Sequence, residues 1–305
     1  MICKKPFVKG GAAYGCGQCL PCRINRRRLW THRILLESLC HTDNCFVTLT
    51  YAEPKPSISG EKSSNTWLQL NPKDLSDWLK RYREKIYPSR LRFFGVGEYG
   101  DATFRPHYHV CLFGVAGCAR GRTKRVFGST RSDWYNCCPA CRAIGETWGL
   151  GDIEIGELNP KTAAYVAEYT VKKMTRFDDP RLQGRHPEFA RMSLRPGIGN
   201  DAMWQVASDM FRWRLEDRDD VPNALAHGKM QYPLGRYLMR VLRKRVGKDE
   251  KAPTATLEKI KAELQPLREA AFNASRSLSS AIAEASEQPV RNIEAKMNIH
   301  KRRVI

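Results

Sequence analysis

The chain has 305 residues, 42% of them hydrophobic and 10% aromatic, so it is long enough to bury a core and too apolar to be a disordered basic tail. Lysine and arginine outnumber aspartate and glutamate by 52 to 32, a formal charge of +20, which points to a polyanionic partner. The first ten residues lack a signal-peptide core, and the most apolar stretch, Val110 to Ala119, is about half of what a membrane span requires and is broken by Gly114 and Gly117. Neither export nor membrane insertion is expected, and the 11 cysteines then read as reduced thiols or metal ligands in a reducing compartment.

Residues 1–40 form a first basic, cysteine-rich element with eight lysines and arginines against one acid, Glu37. Cys45 to Tyr51 is a short β-branched, apolar run that predicts a buried strand. A loop rich in proline, serine and glycine follows. Asn71 as N-cap and Pro72 at the first helical position open a helix over roughly 72–87, with Leu75, Trp78, Leu79, Tyr82 and Ile86 at helical spacing. Leu91 to Tyr99 and His107 to Phe113 predict a hairpin. Residues 114–145 have no clear period and read as an insertion. Asp152 to Glu157 predicts another strand, and Asn159 with Pro160 opens a helix to about Met174. This order implies an α+β fold with a mostly antiparallel central sheet and helices on one face. Beyond 176 come loops, a basic cluster over 236–248 and, from Pro253, a helical appendage of one or two helices.

His107 and His109 stand two apart on a predicted strand, so both imidazoles face the same way and can share a metal ion. Glu98, on the preceding strand, can bring a carboxylate to the pair and leave coordination positions open for a phosphate oxygen. Ordinary half-buried histidines and a solvent-facing carboxylate are the alternative on spacing alone. On the 160–174 helix, Tyr165, Tyr169 and Lys172 form one stripe, with Ala163, Val166, Ala167, Thr170 and Met174 as the core-facing one. Tyrosine is a possible covalent nucleophile; the alternative is a packed helix with wet hydroxyls. Cys16, Cys19 and Cys22 form a C-x-x-C-x-x-C run and Cys138 with Cys141 a second C-x-x-C. If the fold joins the two knuckles, Cys19, Cys22, Cys138 and Cys141 make one structural zinc site, with Cys3, Cys40, Cys45, Cys111 and Cys118 as packing residues. Arg23, Arg26, Arg27, Arg28 and Arg105 are the candidate phosphate contacts.

FVTLTY (46–51), GEYG (97–100) with RPHYHVCLFG (105–114), and AAYVAEYTVKKM (163–174) occur in the order of the three motifs of HUH-type rolling-circle replication initiators. CGQCLPCRINRRRLWTHR near the N-terminus and RMSLRPGIGND (191–201) resemble the replication initiation proteins of gokushoviruses, small single-stranded DNA phages of the microvirus family. The resemblance covers roughly residues 14–235. It implies an HUH endonuclease-like fold over 41–235 with its insertion at about 114–145, flanked by the 1–40 element and a basic, helical appendage over 236–305.

The resemblance further implies origin-specific nicking and joining of single-stranded DNA through phosphotyrosine, initiating and ending rolling-circle replication. Glu98, His107 and His109 match the ligands of Mg²⁺ or Mn²⁺, Tyr165 and Tyr169 the paired nucleophiles, and Lys172 the lysine of the Y-x-x-K signature. Only Tyr169 has lysine three residues on, so the order of attack stays open. Tyr108, between the histidines, is expected to point away from the metal. Because a phosphotyrosyl link conserves the phosphodiester energy, joining needs no ATP, and the sequence contains no G-x-x-x-x-G-K-[ST] loop; helicase and polymerase would come from the bacterial host, in its cytoplasm. A relaxase- or transposase-like nuclease, and a non-enzymatic nucleic-acid-binding protein stabilised by zinc, are the rival readings.

Overall fold

The computed structural model describes residues 2–52, 69–100, 104–169 and 177–302. The chain divides into two compact units, one of Met1–Leu29 with Met203–Ile305 and the other of Trp30–Ala202. In chain order the elements are β1 (Phe7–Lys9), β2 (Ala12–Tyr14), α1 (Leu20–Ser38), β3 (Asn44–Tyr51), α2 (Pro72–Lys85), β4 (Arg92–Tyr99), β5 (Pro106–Phe113) and α3 (Pro139–Trp148). They continue with β6 (Gly151–Glu157), α4 (Pro160–Tyr169), β7 (Phe189–Met192), α5 (Ala202–Arg212), β8 (Ala224–His227), β9 (Met230–Pro233), α6 (Gly235–Arg245), α7 (Thr254–Asn273), α8 (Leu278–Ala285) and α9 (Glu287–Arg302).

The 30–202 unit is built on a five-stranded sheet in the order β6-β3-β5-β4-β7, and every pairing is antiparallel. The α+β class and the antiparallel sheet are as expected. Helices on one face only is an expectation the structure corrects. Val47, Leu49, Tyr108, Val110, Leu112, Ile153 and Ile155 pack under α2 and α3, through Leu75, Trp78, Leu79, Ile144 and Trp148. Phe94, Val96, Cys111 and Phe113 pack on the other side against Ile34 and Leu35 of α1 and Ala163, Val166 and Ala167 of α4. The central strands explain why: β4 reads RFFGVGEY and β5 PHYHVCLF, and nearly every residue of both is buried, as strands covered on both faces require.

Local chemistry sets the element ends. The Asn71 side chain accepts from the Lys73 N–H and Pro72 sits at the first helical position, so α2 starts where the capping pattern placed it. Gly97 lies opposite Tyr108 in the register, and a Cβ there would come within 2.7 Å of the Phe189 ring, so only glycine fits beneath this aromatic pair. The stretch expected to be an unstructured insertion contains α3, whose Trp148 is wholly buried in the core.

In the other unit, β1 with β2 and β8 with β9 form two small hairpins. After residue 253 the described residues form three helices, α7, α8 and α9, rather than one or two. Among the described residues, no helix is long and apolar enough to cross a membrane.

Candidate active site

One face of the sheet grades from apolar to polar along β5. Phe113 and Cys111 are buried under the helices, and two and four residues further back along the strand come His109 and His107. The antiparallel register sets Val96 against His109 and Glu98 against His107 on one side, and Thr48 against His109 and Thr50 against His107 on the other. Since side chains alternate, Glu98, both histidines and both threonines project from the same face. Tyr108 projects from the opposite one, where its hydroxyl bonds the Tyr51 hydroxyl at 2.7 Å and accepts from the Asn71 N–H at 2.9 Å. Burial pushes its phenol up to about 12, out of any role as a neutral-pH nucleophile.

His109 and Glu98 are 5% and 4% exposed, and His109 Nε2 lies 2.7 Å from Glu98 Oε1. The Thr48 hydroxyl stands 3.1 Å from His109 Nδ1, and the Thr50 hydroxyl 3.1 Å from His107 Nδ1. The Phe46 ring stacks on His109 with centroids 5.8 Å apart. Phe46, Thr48 and Thr50 were within the quoted FVTLTY run but carried no assigned role. Their alternation on a strand antiparallel to the histidine strand is the signal that could have identified them.

From α4, the Tyr165 ring meets His109 edge-on at 5.1 Å with its hydroxyl 3.5 Å from Nε2, while the Tyr169 ring stacks on His109 at 5.3 Å. The two phenol rings lie 4.9 Å apart. Tyr165 is 44% exposed, whereas burial, aided by the hydrogen bond with Tyr165 and the Glu98 charge, pushes the Tyr169 phenol far up. Both tyrosines predicted from the helix stripe therefore sit with the histidines and Glu98. Lys172 lies outside the described residues. The Arg105 guanidinium donates to the Tyr51 carbonyl, at the end of β3 next to the Thr50–His107 pair.

The cysteines correct the expectation of one site shared by Cys19, Cys22, Cys138 and Cys141. Cys3, Cys16, Cys19 and Cys22 form one group and Cys118, Cys137, Cys138 and Cys141 another, and within each the sulfur atoms all lie within 4.8 Å of one another. Each knuckle finds its missing partners nearby in its own unit, so Cys3 and Cys118, expected as packing residues, are group members. Hydrogen bonds from the Cys19 and Gln18 N–H groups outweigh burial and bring the Cys16 thiol down to about 6. Cys138 is brought down to about 7 against burial by the N–H groups of Cys141 and Ala119.

Of the basic candidates near the N-terminus, Arg26 and Arg28 are exposed and Arg23 and Arg27 half-buried. Arg26, Arg28 and Arg236 line a groove of about 770 Å³ with Phe7 and Tyr14, whose exposed rings stack at 5.3 Å. Guanidinium groups beside exposed aromatic faces suit the phosphates and unstacked bases of a single strand.

Residues 44–174 match the model of the replication-associated protein ORF2 family. The chain is 32% identical over 167 residues to the replication-associated protein VP4 of Bdellovibrio phage phiMH2K, across 55% of this chain and 50% of that protein. It is 30% identical over 187 residues to the replication-associated protein ORF2 of Spiroplasma virus 4, across 60% and 55%. With the replication-associated protein ORF4 of Chlamydia phage 1 it shares 24% over 240 residues, across 78% and 56%. The resemblance read from the motifs, to replication proteins of small phages, is borne out. The chain spans about half the length of these curated relatives. No solved structure matches it significantly.

Proposed function

We propose that this chain, a relative of the replication-associated proteins of small phages, acts in phage DNA replication by nicking and rejoining single-stranded DNA at the origin. The observation that carries the reading is the Tyr165 hydroxyl 3.5 Å from Nε2 of His109, itself 2.7 Å from Glu98, on a sheet face shared with His107.

The donor set suits Mg²⁺ or Mn²⁺. Each histidine's Nδ1 is taken up by a threonine hydroxyl, which leaves Nε2 to coordinate, and Glu98 adds the hard oxygen ligand these ions prefer. A bound divalent ion would neutralise charge on the scissile phosphate. The phenolic oxygen of a tyrosine then attacks phosphorus, the P–O3′ bond breaks, and the proton lost by the phenol ends on the freed 3′ oxygen, leaving a 5′-phosphotyrosyl link. Tyr165, the more exposed phenol, attacks first; Tyr169, stacked on His109 and one helical turn away, serves the second cut. The 3′-hydroxyl released then attacks the first link and closes the circle, so the phosphodiester energy is never lost to water.

The basic and aromatic groove at Arg26, Arg28 and Arg236 supports single-stranded DNA as the polyanion. Incubating the protein with single-stranded origin DNA and Mn²⁺ is expected to yield a protein-linked fragment on a denaturing gel. A mere nucleic-acid binder would give none, and a relaxase or transposase would leave no unit-length circle.

Thr48 and Thr50 would hold the two imidazoles in the tautomer that offers Nε2. Replacing either with valine, which keeps the shape and removes the hydroxyl, is expected to weaken Mn²⁺ binding by about 10- to 100-fold by calorimetry. Unchanged affinity in both variants would remove the threonines from the metal centre.

A further inference from the structure

We infer that the chain carries two separate four-cysteine zinc sites, Cys3/Cys16/Cys19/Cys22 and Cys118/Cys137/Cys138/Cys141, each a clip for a segment too poor in apolar residues to hold itself. The spacing of the sulfurs is the first argument. Thiolates about 2.3 Å from a tetrahedral zinc stand about 3.8 Å apart along each edge. Cys3 and Cys19 are 3.8 Å apart, Cys118 and Cys137 3.5 Å, Cys138 and Cys141 3.5 Å, and Cys118 and Cys138 4.0 Å. A disulfide would bring two of them to about 2.05 Å.

The backbone around the sulfurs is the second argument. Gly17 takes φ +74°, which turns the Gln18 and Cys19 N–H groups onto Cys16 Sγ at 3.4 Å, while the Cys16 N–H meets Cys3 Sγ at 3.3 Å. In the second group the Lys124 N–H meets Cys137 Sγ at 3.3 Å. Cys138 is the N-cap of α3 and Cys141 lies in its first turn, where the helix dipole favours negative charge. Donors gathered around sulfur stabilise thiolate, the form that binds metal.

The third argument is what each group closes. Between Cys3 and Cys16 lies the β1–β2 hairpin, three residues a strand with Phe7, Val8 and Tyr14 exposed, too small to stand alone. Between Cys118 and Cys137, the only buried residue is Thr123. Its hydroxyl accepts from the Ile155 N–H at 2.6 Å and its own N–H donates to the Ile155 carbonyl at 2.9 Å. Thus the second site pins a largely exposed segment along β6, the edge strand of the sheet, and covers backbone groups that an open edge would leave unpaired.

The test is zinc content of the full-length protein by elemental analysis, with release followed colorimetrically as a mercurial reagent titrates the thiols. Two zinc ions per chain are expected in the unmutated protein and in His109→Ala, one in Cys16→Ser, one in Cys138→Ser and none in the double variant. Cobalt reconstitution of the unmutated protein should give thiolate-to-metal charge-transfer absorption for two equivalents, a reading that needs no variant to fold. Fewer than two zinc ions in the unmutated protein, a single ion lost in both cysteine variants, a zinc ion lost in His109→Ala, or fewer than 11 titratable thiols after unfolding without reductant would each overturn it.

Discussion

Replacing Tyr165 and Tyr169 together with phenylalanine abolishes the covalent protein–DNA fragment, and the single variants divide the reaction between them. Phenylalanine keeps the ring contacts with His109 and Phe46 and removes only the attacking oxygen, so the change reports on chemistry rather than packing. Tyr165→Phe should lose the first link by at least the ~10³-fold associated with removing a nucleophile, since its hydroxyl is the exposed one beside His109 Nε2. Tyr169→Phe should still form that link and fail to release a closed circle. Its phenol is held protonated by burial and by the charge of Glu98, which fits it to act only once DNA and metal have altered the site. The measurement is adduct yield against circle yield on the same origin strand. If Tyr169→Phe blocks the first link and Tyr165→Phe does not, the order of attack is reversed; if the double variant still forms adduct, neither phenol is the nucleophile.

Glu37→Ala is expected to cost about 3–5 kcal/mol of stability at neutral pH, as removing one partner of a buried pair does. The Glu37 side chain on α1 is wholly buried. It accepts from Arg92 of β4, from the Gly199 N–H at 2.7 Å, and lies 3.2 Å from His41 Nε2, so one carboxylate ties a helix, a strand and the loop after β7 together. Burial raises its pKa, but the Arg92 guanidinium and the Gly199 N–H outweigh it and hold the carboxyl below the ordinary range. A depressed pKa adds stability that is present above the unfolded value of about 4.3 and lost as pH falls through the native value. Urea unfolding at a series of pH values should therefore show the gap between the unmutated protein and Glu37→Ala shrinking below about pH 4. A gap that is small at neutral pH, or that does not change with acidification, would show that the carboxylate is not what joins these elements.

The histidine pair, Glu98 and the tyrosine stripe were legible in the sequence because each depends on a short period. Two residues separate the histidines on a strand and four separate the tyrosines on a helix, and those spacings alone set which side chains share a face. The helix start at Asn71 and Pro72 was legible for the same reason, since a cap is a contact between residues two apart. The threonine supports were not assigned, although Thr48 and Thr50 alternate as plainly as the histidines. What gives them a role is the register between β3 and β5, a pairing of residues 57 and 61 apart in sequence.

Side-chain periodicity and capping, which are properties of a few consecutive residues, determined the α+β class, the antiparallel hairpin and the residues of the candidate site. Only the tertiary structure decided that helices cover both faces of the sheet, that Cys3 and Cys118 complete two four-sulfur groups, and that residues 1–29 join 203–305 in one unit. The physical reason is that a run such as RFFGVGEY is apolar whichever helix covers it, and a thiol does not encode which distant thiol it will meet. Those outcomes are set by burial and close packing over the whole chain, which favour one non-local arrangement among many that the local patterns allow.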